Sequence, residues 1–480
     1  MKDEQPEQWT LREEFEEADL GDERRRKRLL EMADRMEAEP DAGFPTMMGS
    51  EAGLEGCYRF LNNPHFDYYD MLEPHVEQTS ERAEAFDRVR AVHDQTTFIC
   101  ELEDQQEAAG ELHTSERGFF GQFSLVLGGD GGHQPVGVSA VSTIFRDSDP
   151  SDESEPNRKL SGADYADQQD RESEWWMRHV RWTEGVLAES DTDVVHVCDA
   201  GFDSYRRCAA MEAREYTFVT RSRRRKVRLC GTQQRGWIGE IAQEIDATLE
   251  RSVHLSRRRP ASSPQRKQKY PARKGRKARL RIGMEKVELE RPHYVSDECP
   301  ETLTLNLVRV WEPDPPEGEE PVEWLLLTNQ STDGELSKSE LVGRVVDDYQ
   351  ARWGIESYFK AFKTGCSYRE RQLENRESLL KALAWTTPMA WLLMAMRGWS
   401  REHPDAEASI FLSERELKVL RHFAERDVPE DATLKKATLA VAGLGGHQRS
   451  NGPPGWQTLQ KGLTKLRRFA DGWDAALEHL

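Results

Sequence analysis

Cysteine is scarce in this 480-residue chain: Cys57, Cys100, Cys198, Cys208, Cys230, Cys299 and Cys366 are scattered, with no Cys-x-x-Cys pair. That distribution suggests neither a disulfide framework nor a zinc site. Long apolar runs are lacking as well. The longest, around Ala382 to Met396, is interrupted by two threonines and a proline and falls short of the roughly 20 residues a membrane span needs, so no transmembrane helix is expected. The start, MKDEQPEQW, has neither the basic residues nor the apolar run of a secretory signal, which makes the cytoplasm the expected compartment. No internal repeat is visible. Lysine is sparse beside arginine, and 87 acids outnumber 67 bases, for a net charge of -20. Taken alone, that total argues against a nucleic-acid partner. An acidic surface poor in lysine is also what a cytoplasm at very high salt favours.

What is present points elsewhere. Thirteen Trp, seventeen Phe and eleven Tyr can anchor real cores despite a mean hydropathy of -0.80, and the length exceeds what one core usually organises. The charge is unevenly spread: from Arg251 to Arg281 there are thirteen Lys or Arg and no acid. Such an island is either a solvated loop or a tracker of nucleic-acid backbone, and Arg221, Arg223, Arg224 and Arg225 extend it.

Trp9 to about His75 has helical spacing, followed by a helical run ending near Phe86. VRAVHDQTTFICEL, FFGQFSLVLGG and PVGVSAVSTIF then read as three successive strands. Residues 146–171 are polar and acidic and read as an exposed linker before the helical ESEWWMRHVRWTEGVLAE. VVHVCDAGFDSY is a strand ending at Asp199, then a glycine and a helix, and YTFVTR is the next strand. This alternation defines an α/β core, with a basic β insertion at about 221–323. WLLLT resumes a buried strand, and ELVGRVVDDYQARWGIESYFKAFKTG reads as one long amphipathic helix closed by Gly365. Helices dominate from Leu373, the last one after a Pro-Gly turn at Asn451 to Gly455. The expected domains are helical 1–75, α/β 76–372 and helical 373–480.

Asp94 and Asp199 each end a short β-branched run, where acids commonly cap helices or make turns. Tyr349, Arg352, Glu356 and Lys363 fall at i, i+3, i+7 and i+14, within roughly 60° of one face of a continuous helix. The plain reading is a solvated face with an Arg–Glu pair worth a few tenths of a kcal/mol. The chemical reading is a carboxylate that joins two others to hold divalent metals, flanked by cations for phosphates, as two-metal phosphodiester cleavage requires.

On these residues the chain resembles the cut-and-paste transposases of bacterial insertion sequences, the insertion-sequence-four, transposon-five-like type with a DDE triad and a Tyr-Arg-Glu-Lys signature. YQARWGIESYFKAFKTG fits the signature, Asp94 and Asp199 match its two aspartates, and ADLGDERRRKRL and EGCYRFLNNP look like parts of its N-terminal DNA-binding module. The resemblance implies an RNase H-like core in which Asp94, Asp199 and Glu356 are catalytic and bind two Mg²⁺ ions, with Mn²⁺ as a substitute. Tyr349, Arg352 and Lys363 would hold phosphates, and Trp324 would stack a flipped base unless it is a core tryptophan beside three leucines. Arg221, Arg273, Lys274, Arg276 and Lys277 would contact DNA from the insertion, while His93 and Asp203 would be structural neighbours of the aspartates. The implied partners are double-stranded transposon ends, target DNA and a second copy of the chain, paired through C-terminal helices in a synaptic dimer. Two alternatives stand beside this: a catalytically silent, transposase-derived DNA-binding inhibitor, and an RNase H-like nuclease without strand transfer.

Overall fold

The computed structural model describes residues 8–100, 109–112, 116–145, 162–223, 225–255, 257–258, 260, 271–332, 336–368, 371, 373–448 and 452–477. Four helices come first: α1 (Glu23–Ala38), α2 (Phe44–Met48), α3 (Glu51–Leu61) and α4 (Tyr68–Ala83). Side chains that bind the free first-turn N–H groups set three of their starts: Asp22 for α1, Ser50 for α3 and an Asp67/Asp70 capping box for α4. Then follow β1 (Arg88–Ile99), β2 (Gly110–Glu111), β3 (Arg117–Gly128), β4 (Gln134–Ile144), α5 (Gly162–Val186), β5 (Asp193–Cys198), α6 (Tyr205–Glu212) and β6 (Thr217–Arg221). The inserted stretch forms β7 (Lys226–Leu229), β8 (Arg235–Trp237), α7 (Ile238–Gln243), β9 (Leu249–Leu255), β10 (Arg276–Glu290) and β11 (Thr302–Trp311). β12 (Glu323–Thr328), α8 (Lys338–Gln350), α9 (Trp353–Lys360), a π-helical turn (Ala361–Gly365), α10 (Arg376–Glu402), α11 (Glu414–Phe423), α12 (Leu434–Leu444) and α13 (Trp456–Leu477) complete the order.

Two expectations need correction. The linker expected at 146–171 lies outside the described residues only to 161; from Gly162 the chain is already α5, because a polar, charged stretch rich in Asp, Gln, Arg and Glu is compatible with a helix. The single long helix is interrupted at Ala351–Arg352 and ends in the π turn, where Cys366 N donates to Ala361 O at 2.9 Å. Tertiary packing overrides the periodicity there: Gly354 sits so close to β3 that a Cβ would lie 2.6 Å from Leu127 Cδ1. Gly365 lies inside that turn, and the left-handed residue beyond it is Ser367, at φ 46°. Finally, α10 is long and apolar enough to cross a membrane, but 94% of its most apolar window is buried within the protein, as in a core helix.

The described residues fall into two compact units, one within Met1–Lys159, His179–Asp193 and Trp353–Leu480, the other within Leu160–Arg178 and Val194–Arg352. This division does not follow the expected boundaries at 75 and 372, because the first unit is built around α10. That helix packs on β4 and α4, and its Trp391 is fully buried beside Trp9 and His75, at ring distances of 5.4 Å each. Under it lies a buried polar group: Val138 N donates to His75 Nε2 at 3.1 Å, so the His75 proton sits on Nδ1 and points at Glu14. Arg82 donates to both Glu14 oxygens, at 2.8 and 3.2 Å, and its guanidinium lies 4.0 Å over Trp391. Burial alone would raise the Glu14 carboxyl, but Arg82 and His75 outweigh it and hold it at about 2. In the sheet of this unit, β3 has antiparallel β1 along one edge and β2 and β4 along the other.

The second unit is an eight-stranded sheet ordered β5-β6-β12-β11-β10-β7-β8, with β9 paired to β10. β5 and β6, linked through α6, are parallel, and the remaining paired strands with a given register are antiparallel.

Candidate active site and nucleic-acid interface

In the first unit Asp94 lies in the middle of β1 rather than at its end: the strand is buried from Val89 to His93, Asp94 is half-buried, Gln95 is exposed, and the strand is buried again at Phe98, because its pairing with β3 continues to Ile99. Its carboxylate accepts from Gln95 N at 2.8 Å. The register partner of Asp94 on β3 is Phe123, whose ring contacts Tyr358, Phe359 and Phe362. Those aromatics seat α9 on β1 and β3, and the half-buried Glu356 occupies the first turn of α9, where the helix dipole favours an acid. Lys363 lies along the same strand: Nζ donates to Thr97 O at 2.8 Å and to Thr96 Oγ1, and sits 5.2 Å over Phe98. An ammonium expected to meet phosphate is thus engaged with the strand that carries Asp94. His93 is fully buried and bonds Ser124 Oγ at 2.8 Å, which bonds His179 at the same distance, a structural link between β1, β3 and α5.

In the second unit, Asp199 follows β5, half-buried, and accepts from Gly201 N at 2.6 Å in an Asx turn. Its carbonyl accepts from Thr220 Oγ1 at 2.9 Å, tying it to β6. Tyr349, in the last turn of α8, is 4% exposed. Burial raises its phenol; Arg352, which also hydrogen-bonds it, and Arg221 pull the other way, and Asp199 adds to the rise. Trp324 stands edge-on to the Tyr349 ring, at 5.6 Å and 65°. Trp324 is half-buried and Arg221 exposed. Four other residues singled out in the sequence thus act on one phenol, Asp199, Arg221 and Arg352 through their charges and Trp324 through its ring. Asp203, with its side chain fully buried, accepts from Ser222 Oγ at 3.2 Å, from Arg223 N and from Arg225, so it anchors the turn after β6, and Arg225 is an ion-pair partner there.

The basic island is less bare than its sequence suggests. Arg251 forms a two-bond pair with Asp347, Arg276 one with Glu312, and Arg279 and Arg281 both reach Glu250, at 2.9 and 3.0 Å through Nε. The Arg276 pair is largely buried, at 12% and 3% side-chain exposure, which makes it a structural bridge. Arg273 exchanges backbone hydrogen bonds with Arg258; burial and then the charges of Arg258 and Arg276 lower its guanidinium. Lys274 and Lys277 are exposed. Arg224 and the middle of the island, 261–270, lie outside the described residues. Gly201 was not singled out in the sequence, although Asp-Ala-Gly after a strand is a recognisable turn signal.

Among the described residues no three His, Cys, Asp or Glu side chains gather into a group that could hold a metal ion. The half-buried carboxylates are hard oxygen donors, which suits Mg²⁺, an ion commonly held by one or two protein carboxylates together with substrate phosphates.

Residues 6–66, within the N-terminal helical stretch, match the Transposase DNA-binding family. Among solved structures, a cryo-EM structure of the piggyBac transposase synaptic complex with hairpin DNA is similar over 75% of this chain, at 13% identity and a TM-score of 0.32. This chain covers 54% of that one, about half its length.

Proposed function

We propose that the protein is a DDE DNA transposase that binds inverted-repeat ends and catalyses Mg²⁺-dependent hydrolysis and strand transfer, acting in the cytoplasm as a homodimer on nucleoid DNA. The observation that carries this reading is the gathering of Asp199, Arg221, Trp324 and Arg352 around Tyr349 in a chain whose residues 6–66 match a transposase DNA-binding family. The antiparallel β1, β3 and β4 and the parallel β5 and β6 joined through α6 are what an RNase H-like core requires.

In this reading Asp94, Asp199 and Glu356 hold the ions. When bound, the ions supply Lewis-acid activation of water or a 3′-hydroxyl and stabilise the leaving oxygen. Arg352 and Arg221 grip phosphate through guanidinium donors, and the buried phenol of Tyr349 stays neutral and fixes Arg352 in place. Trp324 offers its outer face to an unstacked base. The exposed Lys274 and Lys277 follow the duplex backbone.

The test is cleavage and joining of a labelled duplex that carries the inverted repeats flanking the reading frame. Asp94→Ala, Asp199→Ala and Glu356→Ala are each expected to abolish Mg²⁺-dependent cleavage while leaving end binding intact. Full cleavage by any of them overturns the assignment. Binding without cleavage by the wild-type chain favours the silent inhibitor, and cleavage without joining favours the nuclease.

A further inference from the structure

Several arginines of the first unit lie beside an acid. Arg12 pairs with Asp34, Arg28 with Glu31, Arg82 with Glu14, Arg415 with Asp471, Arg467 with Glu37 and Glu416, and Arg468 with Glu39. Arg397 and Arg401, one turn apart near the end of α10, make no ion pair and no side-chain hydrogen bond among the described residues. Arg397 is half-buried, its guanidinium lies 4.3 Å over the ring of Trp456 at the start of α13, and its Nε is buried with no hydrogen-bond partner. Between the two, Gly398 presses on the β3–β4 hairpin so closely that a Cβ would lie 2.6 Å from Pro135 Cδ. The helix turn that presents both arginines is therefore held from below.

A partly desolvated cation without a counter-charge is costly, and a chain with 87 acids does not lack candidates to neutralise it. Burial, and then the like charge of Arg401, bring the Arg397 guanidinium down to about 10, still protonated at neutral pH. Two guanidinium groups one turn apart, one over an indole and the exposed other with Glu402 as its acidic neighbour, suit an anion that offers several oxygens and arrives from outside. We propose that Arg397, Arg401 and the Trp456 face form a phosphate-binding subsite for the backbone of duplex DNA, separate from the groups around Tyr349. The proposal rests on the transposase reading. DNA is favoured over a protein partner because the matched N-terminal family already makes DNA a ligand of this chain.

Duplex affinity of the full chain, measured against salt, tests it. Each phosphate contact adds about 0.9 to the slope of log K against log salt. Arg401→Gln is expected to flatten the slope by about 1, and the Arg397→Gln/Arg401→Gln pair by about 2, with unchanged circular dichroism. Because Arg397 is stacked and half-buried, the exposed Arg401 alone decides the question if the pair does not fold. An unchanged slope in folded variants overturns the subsite. So does an unchanged slope with a lower sedimentation mass, which would mean that the pair takes carboxylates of a second copy. Failure of the wild-type chain to bind duplex at all overturns the transposase reading itself.

Discussion

Gly201→Ala should separate positioning of the Asp199 carboxylate from its chemistry. The backbone of Gly201 is not in the left-handed region, so alanine introduces no backbone strain there. Its new Cβ, however, would lie 2.7 Å from Asp199 Oδ1, where ordinary contact begins at 3.4 Å. The carboxylate must then retreat by about 0.7 Å, and the 2.6 Å bond from Gly201 N that orients it lengthens with it. Since a misplacement of about 1 Å can cost on the order of 10²-fold in rate, a loss of about tenfold to a hundredfold in cleavage is expected, short of the complete loss expected of Asp199→Ala. The apparent Mg²⁺ requirement should rise in parallel, by roughly 10- to 100-fold as for other disturbed ligand supports. Single-turnover cleavage across a Mg²⁺ titration reads both quantities, and a melting curve checks the fold. Wild-type rate and Mg²⁺ dependence in the alanine variant would refute the reasoning.

The buried Glu14–His75–Arg82 group predicts an acid-labile first unit. Glu14 is depressed from 4.5 to about 2, so its contribution of about 3 kcal/mol is complete above 4.5 and is lost as pH falls towards 2. Burial likewise lowers His75 below 6.5, so its share begins to fall away below that pH, and thermal melts from neutral to acid pH should show the loss. Glu14→Gln should flatten the acid limb of the melting temperature, whereas parallel limbs would exclude this origin. In the β insertion, Lys274→Gln with Lys277→Gln should flatten the salt dependence of DNA binding by about 2 at unchanged stability. Arg276→Ala should instead destabilise the fold by about 3 to 5 kcal/mol, because it strands the buried Glu312; urea titrations distinguish the two variants.

Local features were legible in the sequence and long-range ones were not. The runs ending in Asp94 and Asp199 do form strands, because β-branched residues bounded by turn residues suit a buried strand. The insertion is β-rich as its composition implies. The stripe from Tyr349 to Lys363 was legible as a set of residue types, but its geometry depends on a break and a π turn that local periodicity does not encode. The island between Arg251 and Arg281 looked free of acids only because its counter-ions lie elsewhere: Glu250 immediately before it, Glu312 after β11 and Asp347 on α8. The low charge density of the described part therefore reflects pairing that only the fold creates. The membership of the first unit was hidden for the same reason, since Trp9 and Trp391 meet across most of the sequence.

That last meeting sets a clock. Trp9 N donates to Ile410 O at 2.8 Å, and Arg467 of α13 ties Glu37 of α1 to Glu416 of α11. At roughly 5 to 20 residues per second, α13 leaves the ribosome on the order of half a minute or more after α1. Throughout that interval the N-terminal helices lack the partners that bury their apolar faces and neutralise Glu37. A nascent chain would expose this surface to chaperones and proteases, so the amount of functional protein in a cell should depend on synthesis of α13 as well as of α1.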